Sequence, residues 1–373
     1  MKLLTLVIIV LIIYLTESFL YKKYGLKGVA YKCRFSCDEA CEGDEIELIE
    51  EITNAKRLPL PWVKAELTAP LALEFGELQS SVTDTSRFVS SFFVLKGCSR
   101  ITRRWKLKCR RRGIYSISAV TVVGADLFGT MNFSLPMDKS YYSHRLVILP
   151  KPAENIPAFP ADNMLTGDNT VPISLISDPF FIGGVRPYTL SDPMRSINWN
   201  ASAKEQRLMC STYEFTENRR TLVILNMQSR ENENKSVFDP ESVEYCIKIC
   251  AGIFIEAENR NSPCAFAANC NIDDSMCYIP DGCGKSHTYR LMYALAGLPL
   301  GNAARFDDFL SASDFIDEYN DIIIVCTHIS AGTAQFSRKP SVRIIAVTAE
   351  GTDRLPREAD VTIIKHSERT DRS

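Results

Sequence analysis

Residues 3–20 form an apolar run broken only by Thr5, Thr16, Glu17 and Ser18, and no other stretch so narrows what this chain can become. At about 1.5 Å per residue a helix over this run just crosses a hydrocarbon core ~30 Å thick, so a single transmembrane helix over residues 1–21 is the first expectation. A cleavable signal peptide fits the same run, because residues 6–15 have the length of a signal core and Thr16 and Ser18 are small. Flanking charge sets the expected orientation. Lys22, Lys23, Lys27, Lys32 and Arg34 follow the run while Lys2 alone precedes it, which puts the body in the cytoplasm. Thirteen cysteines, odd in number and irregularly spaced, also suit free thiols in a reducing compartment better than a disulfide scaffold. The expected location is therefore the cell membrane, single pass, with a cytoplasmic body.

At 373 residues the chain is too long for one ordinary core. Between residues 28 and 149 short β-type runs, such as 45–52, 88–96 and 114–123, alternate with Gly and Pro punctuation and predict a β-sandwich-like module. Residues 150–218 begin with Pro150, Pro152, Pro157 and Pro160, and 153–178 is polar enough to predict a long loop. From 219 to 373 the texture changes. The unbroken apolar runs 221–225 and 322–326 are those of strands covered on both faces, and 341–348 adds another. Helical stretches are expected at 240–259, 286–297 and 306–319. The fold class is α+β multi-domain: a transmembrane helix, a β-sandwich-like module, then a doubly wound α/β domain.

Residues 186–204 read Arg-Pro-Tyr-Thr-Leu-Ser-Asp-Pro-Met-Arg-Ser-Ile-Asn-Trp-Asn-Ala-Ser-Ala-Lys. This stretch resembles the signature of the domain of unknown function 58 family, Arg-x-Tyr-x-x-Gly-Asp-x-x-Arg-x-Ile-x-Trp-x-x-Ser-Ala. Arg186, Tyr188, Asp192, Arg195, Ile197, Trp199, Ser202 and Ala203 match it, and Ser191 stands where the family has glycine. Residues 111–115 (Arg-Arg-Gly-Ile-Tyr) and 126–129 (Asp-Leu-Phe-Gly) resemble the segment closing the β module in that family, so the resemblance covers roughly residues 85–373. The signature reads physically as a polar brace or a partner-docking surface. Asp192 can take a bidentate pair from Arg186 or Arg195, Trp199 can fill a pocket, and Ser202 can cap a helix. No nucleophile and base accompany it, and no enzyme is expected.

The resemblance implies a von Willebrand factor A-like α/β domain, whose relatives hold Mg²⁺ on a DxSxS turn after the first strand. Here the turn reads Asn226-Met227-Gln228-Ser229-Arg230, and His328 follows the later strand, so the metal site is expected to be degenerate. The resemblance also implies company: family members are typically encoded beside MoxR-type AAA ATPases and transglutaminase-like membrane proteins. An assembly or maturation role follows as an expectation, with an exported cell-surface binding protein as the alternative.

Other features are weaker. Eight of the thirteen residues 100–112 are basic, including Arg103, Arg104, Lys106, Lys108, Arg110, Arg111 and Arg112, and they alternate with Trp105, Leu107 and Cys109. An exposed edge strand is the first expectation and contact with acidic lipid the second. A net charge of −2 gives no general attraction to nucleic acid, and no nucleic-acid partner is expected. Cys264, Cys270, Cys277 and Cys283 lack the tight pairs of structural zinc sites. The ending Gly284-Lys285-Ser286 would need glycine at Ile279 to make a phosphate loop, so Ser286 is expected near a helix cap. No cofactor is expected.

Overall fold

A computed structural model describes residues 2–76, 79–83, 86–142, 144–154, 177–189, 192–215, 220–231, 233, 235–272, 275–339, 341–347 and 360–364. Most of the expected loop at 153–178, as well as Ser191 and the chain end from 365, lies outside these residues. The first element, α1 (Lys2–Tyr24), is the one described helix long and apolar enough to cross a membrane. It runs straight into the next module. Tyr21 is buried and its hydroxyl donates to Pro59 O (3.0 Å), while Lys56 Nζ donates to the carbonyls of Gly25 and Lys27 just past the helix end.

Twelve strands follow: β1 (Val29–Phe35), β2 (Glu39–Cys41), β3 (Glu45–Asn54), β4 (Leu60–Ala69), β5 (Leu73–Phe75), β6 (Gln79–Val82), β7 (Arg87–Leu95), β8 (Ser99–Cys109), β9 (Gly113–Tyr115), β10 (Ala119–Ala125), β11 (Asn132–Pro136) and β12 (Leu146–Leu149). They make two antiparallel sheets, ordered β1-β3-β8-β5 and β11-β10-β4-β7-β6, and a small sheet β2-β12-β9. Period-two alternation supplies the core. Tyr31, Leu48, Ile52 and Leu107 of the first sheet and Val63, Leu67, Val89, Phe93 and Val122 of the second form one buried cluster. The run expected as one strand over 114–123 is two, β9 and β10, which join different sheets with Ser116, Ile117 and Ser118 between them.

Among the described residues the basic strand is an edge over most of its length, as expected. β8 pairs with β3 throughout but with β5 only from Leu107 to Cys109, and its register sets Lys106 opposite Glu47 and Lys108 opposite Glu45. On the outer face Arg104 pairs with Glu47 (3.2 Å) and Arg100 with Glu51 (3.5 Å), while Arg110, just after the strand, pairs with Glu74. A neighbouring acidic strand therefore compensates the charge that the sequence suggested for lipid. Such exposed pairs contribute little to stability.

A hairpin, β13 (Ser177–Pro187) and β14 (Met209–Phe215), encloses the short helix α2 (Trp199–Glu205). The last unit contains β15 (Thr221–Leu225), α3 (Pro240–Asn259), β16 (Cys264–Ile272), β17 (Ser275–Gly282), α4 (Lys285–Gly297), α5 (Phe306–Ala312), β18 (Asp321–Cys326), α6 (Ala331–Phe336), β19 (Val342–Ala346) and β20 (Asp360–Ile363). The sheet order is β17-β16-β15-β18-β19-β20, parallel except for β17. Helices α3 and α4 cover one face through Cys246, Ile249, Phe254, Leu291 and Leu295; α5 and the following 3₁₀ turn cover the other through Phe306, Phe309, Leu310 and Ile316. Two covered faces explain why β15 is buried at every position. Asp239 caps α3 and Pro240 opens it, as helix chemistry favours.

Two details depart from the sequence reading. The helix expected over 306–319 stops at Ala312, where the Ser313 hydroxyl donates back to Phe309 O (2.7 Å), and continues as a 3₁₀ turn, Asp314–Glu318. At α4 the cap is Gly284, with φ at +83°, and Ser286 sits inside the helix.

Candidate functional site

The signature stretch is built on the β13–β14 hairpin. Arg186 meets Asp192 through two parallel hydrogen bonds, Nη1 to Oδ2 at 2.9 Å and Nη2 to Oδ1 at 2.6 Å, so Arg186 and not Arg195 supplies the bidentate partner. Asp192 also accepts from the Thr189 amide (2.9 Å) and hydroxyl (2.7 Å), and the Tyr188 hydroxyl donates to Asp192 O (3.0 Å). The Arg186 guanidinium, with help from Thr189, holds the Asp192 carboxyl well below the usual carboxylate range. A carboxylate so committed is a brace and not a proton carrier.

The expected helix cap is corrected. Asn198 caps α2 by accepting from the Ala201 amide (3.0 Å), while Ser202 lies inside the helix. The Ser202 hydroxyl donates to Asn198 O (2.7 Å) and accepts from the Met209 amide (2.8 Å), tying α2 to β14. Trp199 fills no pocket. As the first residue of α2 it is 67% exposed, and Arg195, four residues earlier, is exposed too. Val185, Met194 and Leu208 are further exposed apolar side chains of this excursion. A rigid polar frame thus presents apolar groups to solvent, an arrangement suited to holding a partner.

The second candidate lies at the carboxyl ends of β15 and β18. Successive strands depart to opposite sides there, so this is the topological switch point of the sheet. Asn226 and Gln228 are buried. Asn226 Oδ1 accepts from the Gln228 amide (2.9 Å), which fixes the orientation of its amide and leaves Nδ2 without an acceptor. Gln228 uses both ends: Oε1 accepts from Phe306 N (2.7 Å) and Nε2 donates to Glu233 O (2.8 Å). The Thr327 hydroxyl donates to Gln228 O (2.9 Å), and Asn269 Oδ1 accepts from Met227 N (2.7 Å). Arg230 is exposed, with its guanidinium 3.7 Å from the centre of the Phe238 ring, so its charge turns outward; His328 is buried. Among the described residues no group of three or more His, Cys, Asp or Glu side chains is placed to hold a metal ion.

Two buried polar centres escaped the sequence reading. Arg112, assigned above to the basic strand, lies beyond the end of β8 and is 5% exposed. Its Nε donates to Glu244 of α3 (2.8 Å), and its Nη1 donates to the carbonyls of Leu295 (2.7 Å) and Leu298 (3.1 Å) at the end of α4. A cation from one domain thereby caps the negative end of a helix in the other. Gly113 follows with φ at +151°, and the Tyr115 ring lies where a β-carbon would stand, 2.5 Å away; the Tyr115 hydroxyl donates to Arg112 O (2.7 Å). This geometry accounts for the residues 112–115. Glu42 with Lys248 (3.0 Å), and Tyr289 donating to Glu39, complete the same joint.

The other centre is Glu50, fully buried in the sandwich, accepting from the Tyr31 hydroxyl (2.6 Å), Trp105 Nε1 (2.6 Å) and the Ser91 hydroxyl (3.0 Å). Arg103 is on this inner side, 4.5 Å from the centre of the Phe93 ring, and not on the basic outer face. Burial raises the Glu50 carboxyl above its ordinary value against the opposing pull of its three donors and Arg103. The signal was present in sequence: Glu50 and Arg103 stand in the inward phase of otherwise apolar alternations, Ile46, Leu48 and Ile52 on one strand and Ile101 and Leu107 on the other.

No curated protein matches the chain. The solved structures it resembles include a cohesin module from Clostridium perfringens (13% identity, 33% of this chain and 98% of that one, TM-score 0.25). A non-cellulosomal cohesin from Archaeoglobus fulgidus (14% identity, 30% and 92%, TM-score 0.20) and the CARDB domain of a Pyrococcus furiosus protein (9% identity, 32% and 91%, TM-score 0.22) are similar in the same loose way. Likeness at this level carries no argument about function. The family match is narrower than the motifs suggested but includes the signature from Arg186 onward and the switch-point turn. Residues 184–330 match the family model described as Protein of unknown function DUF58, and over this segment the chain is similar to that family.

Proposed function

We propose that this protein is a membrane-anchored, non-enzymatic interaction protein that offers the signature hairpin to a protein partner on the cytoplasmic side. The observation that carries the reading is Trp199. It stands 67% exposed on a frame locked by the Arg186–Asp192 pair and the Ser202 tie, with Met194 and Leu208 also exposed on that excursion. Ordering such a side chain costs little because its support is already fixed, and exposed tryptophans are frequent anchors of binding energy.

The α/β domain is, in this reading, a von Willebrand factor A-like domain with a degenerate metal turn. What supports this is the use of the amides: Gln228 commits both polar atoms to main-chain partners, and Asn226 keeps an N–H₂ group where a cation would need an oxygen. The turn works as a latch between β15 and α5. Following the family resemblance, the partner is a MoxR-type AAA ATPase, with a transglutaminase-like membrane protein in the same assembly, and the role is assembly or maturation of other proteins. Nucleotide hydrolysis then belongs to the partner.

Binding of the full chain, held in lipid nanodiscs, to the purified MoxR-type ATPase of its own genome tests the reading. Trp199→Ala should weaken binding roughly 30-fold, the effect of losing about 2 kcal/mol at an anchor. Arg104→Ala, on the outer sandwich face, should leave it unchanged. Equal affinity of wild type and Trp199→Ala, or no binding by either, would overturn the proposal.

A further inference from the structure

The 126–131 loop joins β10 to β11 and carries the Asp-Leu-Phe-Gly motif, to which nothing above assigns a task. Its apolar side chains face outward: Leu127 is 55% exposed, Phe128 61%, and Met131 is exposed as well. The loop is nevertheless fastened to α1. Leu127 N donates to Glu17 Oε1 (2.8 Å), the Tyr14 hydroxyl donates to Thr130 Oγ1 (2.9 Å), the Tyr14 and Phe128 rings lie 5.8 Å apart, and the Ser18 hydroxyl touches Met131 Sδ (3.1 Å).

Those helix positions decide the matter. Between Lys2 and Lys22 the only charged residue is Glu17, so the hydrocarbon core must fall within this stretch, with Lys22 and Lys23 marking its boundary on the body side. Glu17 lies about 7.5 Å, and Tyr14 about 12 Å, to the membrane side of Lys22 along the helix axis. A loop bonded to Glu17 and stacked on Tyr14 shares their depth. Its main chain is built for that depth too. Asp126 Oδ1 accepts from the amides of Thr130 (2.7 Å) and Met131 (3.2 Å), its Oδ2 accepts from the Thr130 hydroxyl (2.6 Å), and Gly129 N donates to Asp126 O (3.1 Å) with φ at +67°. With Leu127 N on Glu17, the amides of Leu127, Gly129, Thr130 and Met131 all find acceptors within the protein, which lowers the cost of bringing this backbone towards lipid.

We infer that the 126–131 loop is a second membrane contact of this protein, with Leu127, Phe128 and Met131 inserted among lipid acyl chains beside α1. The inference rests on α1 being membrane-embedded, as proposed above. The loop thus sets the height and tilt of the sandwich on the bilayer, which a single helix alone leaves free. The partner is lipid hydrocarbon, not a headgroup: the tip offers no cation.

Photo-crosslinking of the full chain in phosphatidylethanolamine–phosphatidylglycerol liposomes tests this, with p-benzoylphenylalanine placed at 128 or, in a second variant that keeps the Tyr14–Phe128 ring contact, at 127. A probe replacing Leu11 on α1 reports the anchor itself, and one replacing Phe238, an exposed aromatic of the α/β domain, reports background. The expected result is lipid adducts at Leu11 and at 127 and 128, and none at 238. Adducts at Leu11 without any at 127 or 128 would overturn the loop contact and leave the anchor standing. No adduct at Leu11 would overturn the anchor and the loop contact with it.

Discussion

Removing the Arg112 side chain should loosen the joint between the sandwich and the α/β domain more than any other single truncation on their shared surface. The guanidinium is 2% exposed and makes three good hydrogen bonds, one to the Glu244 carboxylate and two to carbonyls that end α4. Hydrogen bonds to a charged group are worth about 1.5–3 kcal/mol each, so simple addition gives roughly 5–9 kcal/mol. That overshoots, because the three share one donor group and water can enter the space left behind. Removing one partner of a buried pair costs about 3–5 kcal/mol. Glu244 is 24% exposed and can recover solvent, which selects the lower end, about 3 kcal/mol. Urea unfolding of the full chain in detergent, followed by tryptophan fluorescence and by helix circular dichroism, measures it. Arg112→Ala should lower stability by that amount and separate the two signals, and Arg112→Ala combined with Glu244→Ala should cost less than the sum of the single changes. A loss below about 1 kcal/mol, or strict additivity, would refute the capping argument.

Three further outcomes follow from the same geometry. Because burial raises the Glu50 carboxyl in the folded state, its contribution to stability is fully present below the unfolded-state value of about 4.3 and is lost as pH rises through the higher folded value. Glu50→Gln should flatten that part of the stability–pH curve in a urea titration, and an unchanged slope would contradict it. Alkylation followed by peptide mass spectrometry should modify exposed Cys98 and Cys283 in the native protein at neutral pH. Cys264 and Cys326, pushed up by burial to about 12, and Cys109, to about 11, should react only on unfolding. With a cytoplasmic body, an impermeant maleimide should label Cys98 and Cys283 only after cells are permeabilised, and labelling of intact cells would reverse the orientation.

What the sequence disclosed depended on how local each cause was. The run at β15 and the Asp239-Pro240 start of α3 declare themselves within a few residues, since strand burial and helix capping are nearest-neighbour chemistry. Position in a sheet is not local. The basic stretch gave no hint of its acidic partner, β3, which lies more than forty residues earlier, and only the register Glu47–Lys106 reveals the compensation. Arg112 hid for the same reason, being one of a cluster of like residues whose fates differ: Arg104 pairs on the surface while Arg112 enters a distant helix end. Within the signature, the bidentate Arg–Asp brace was legible from residue type, whereas choosing Arg186 over Arg195 needed the hairpin register, and Trp199 read as filling a pocket because tryptophan is highly buried on average.

Whether Trp199 contacts a cytoplasmic protein is tested directly by a photoreactive amino acid placed at 199 in the chain expressed in its native cells. The predicted result is a specific covalent adduct with a AAA ATPase, lost when Arg186→Ala and Asp192→Ala unlock the frame. Adducts only with proteins outside the cytoplasm, or crosslinks only within the chain itself, would contradict the account.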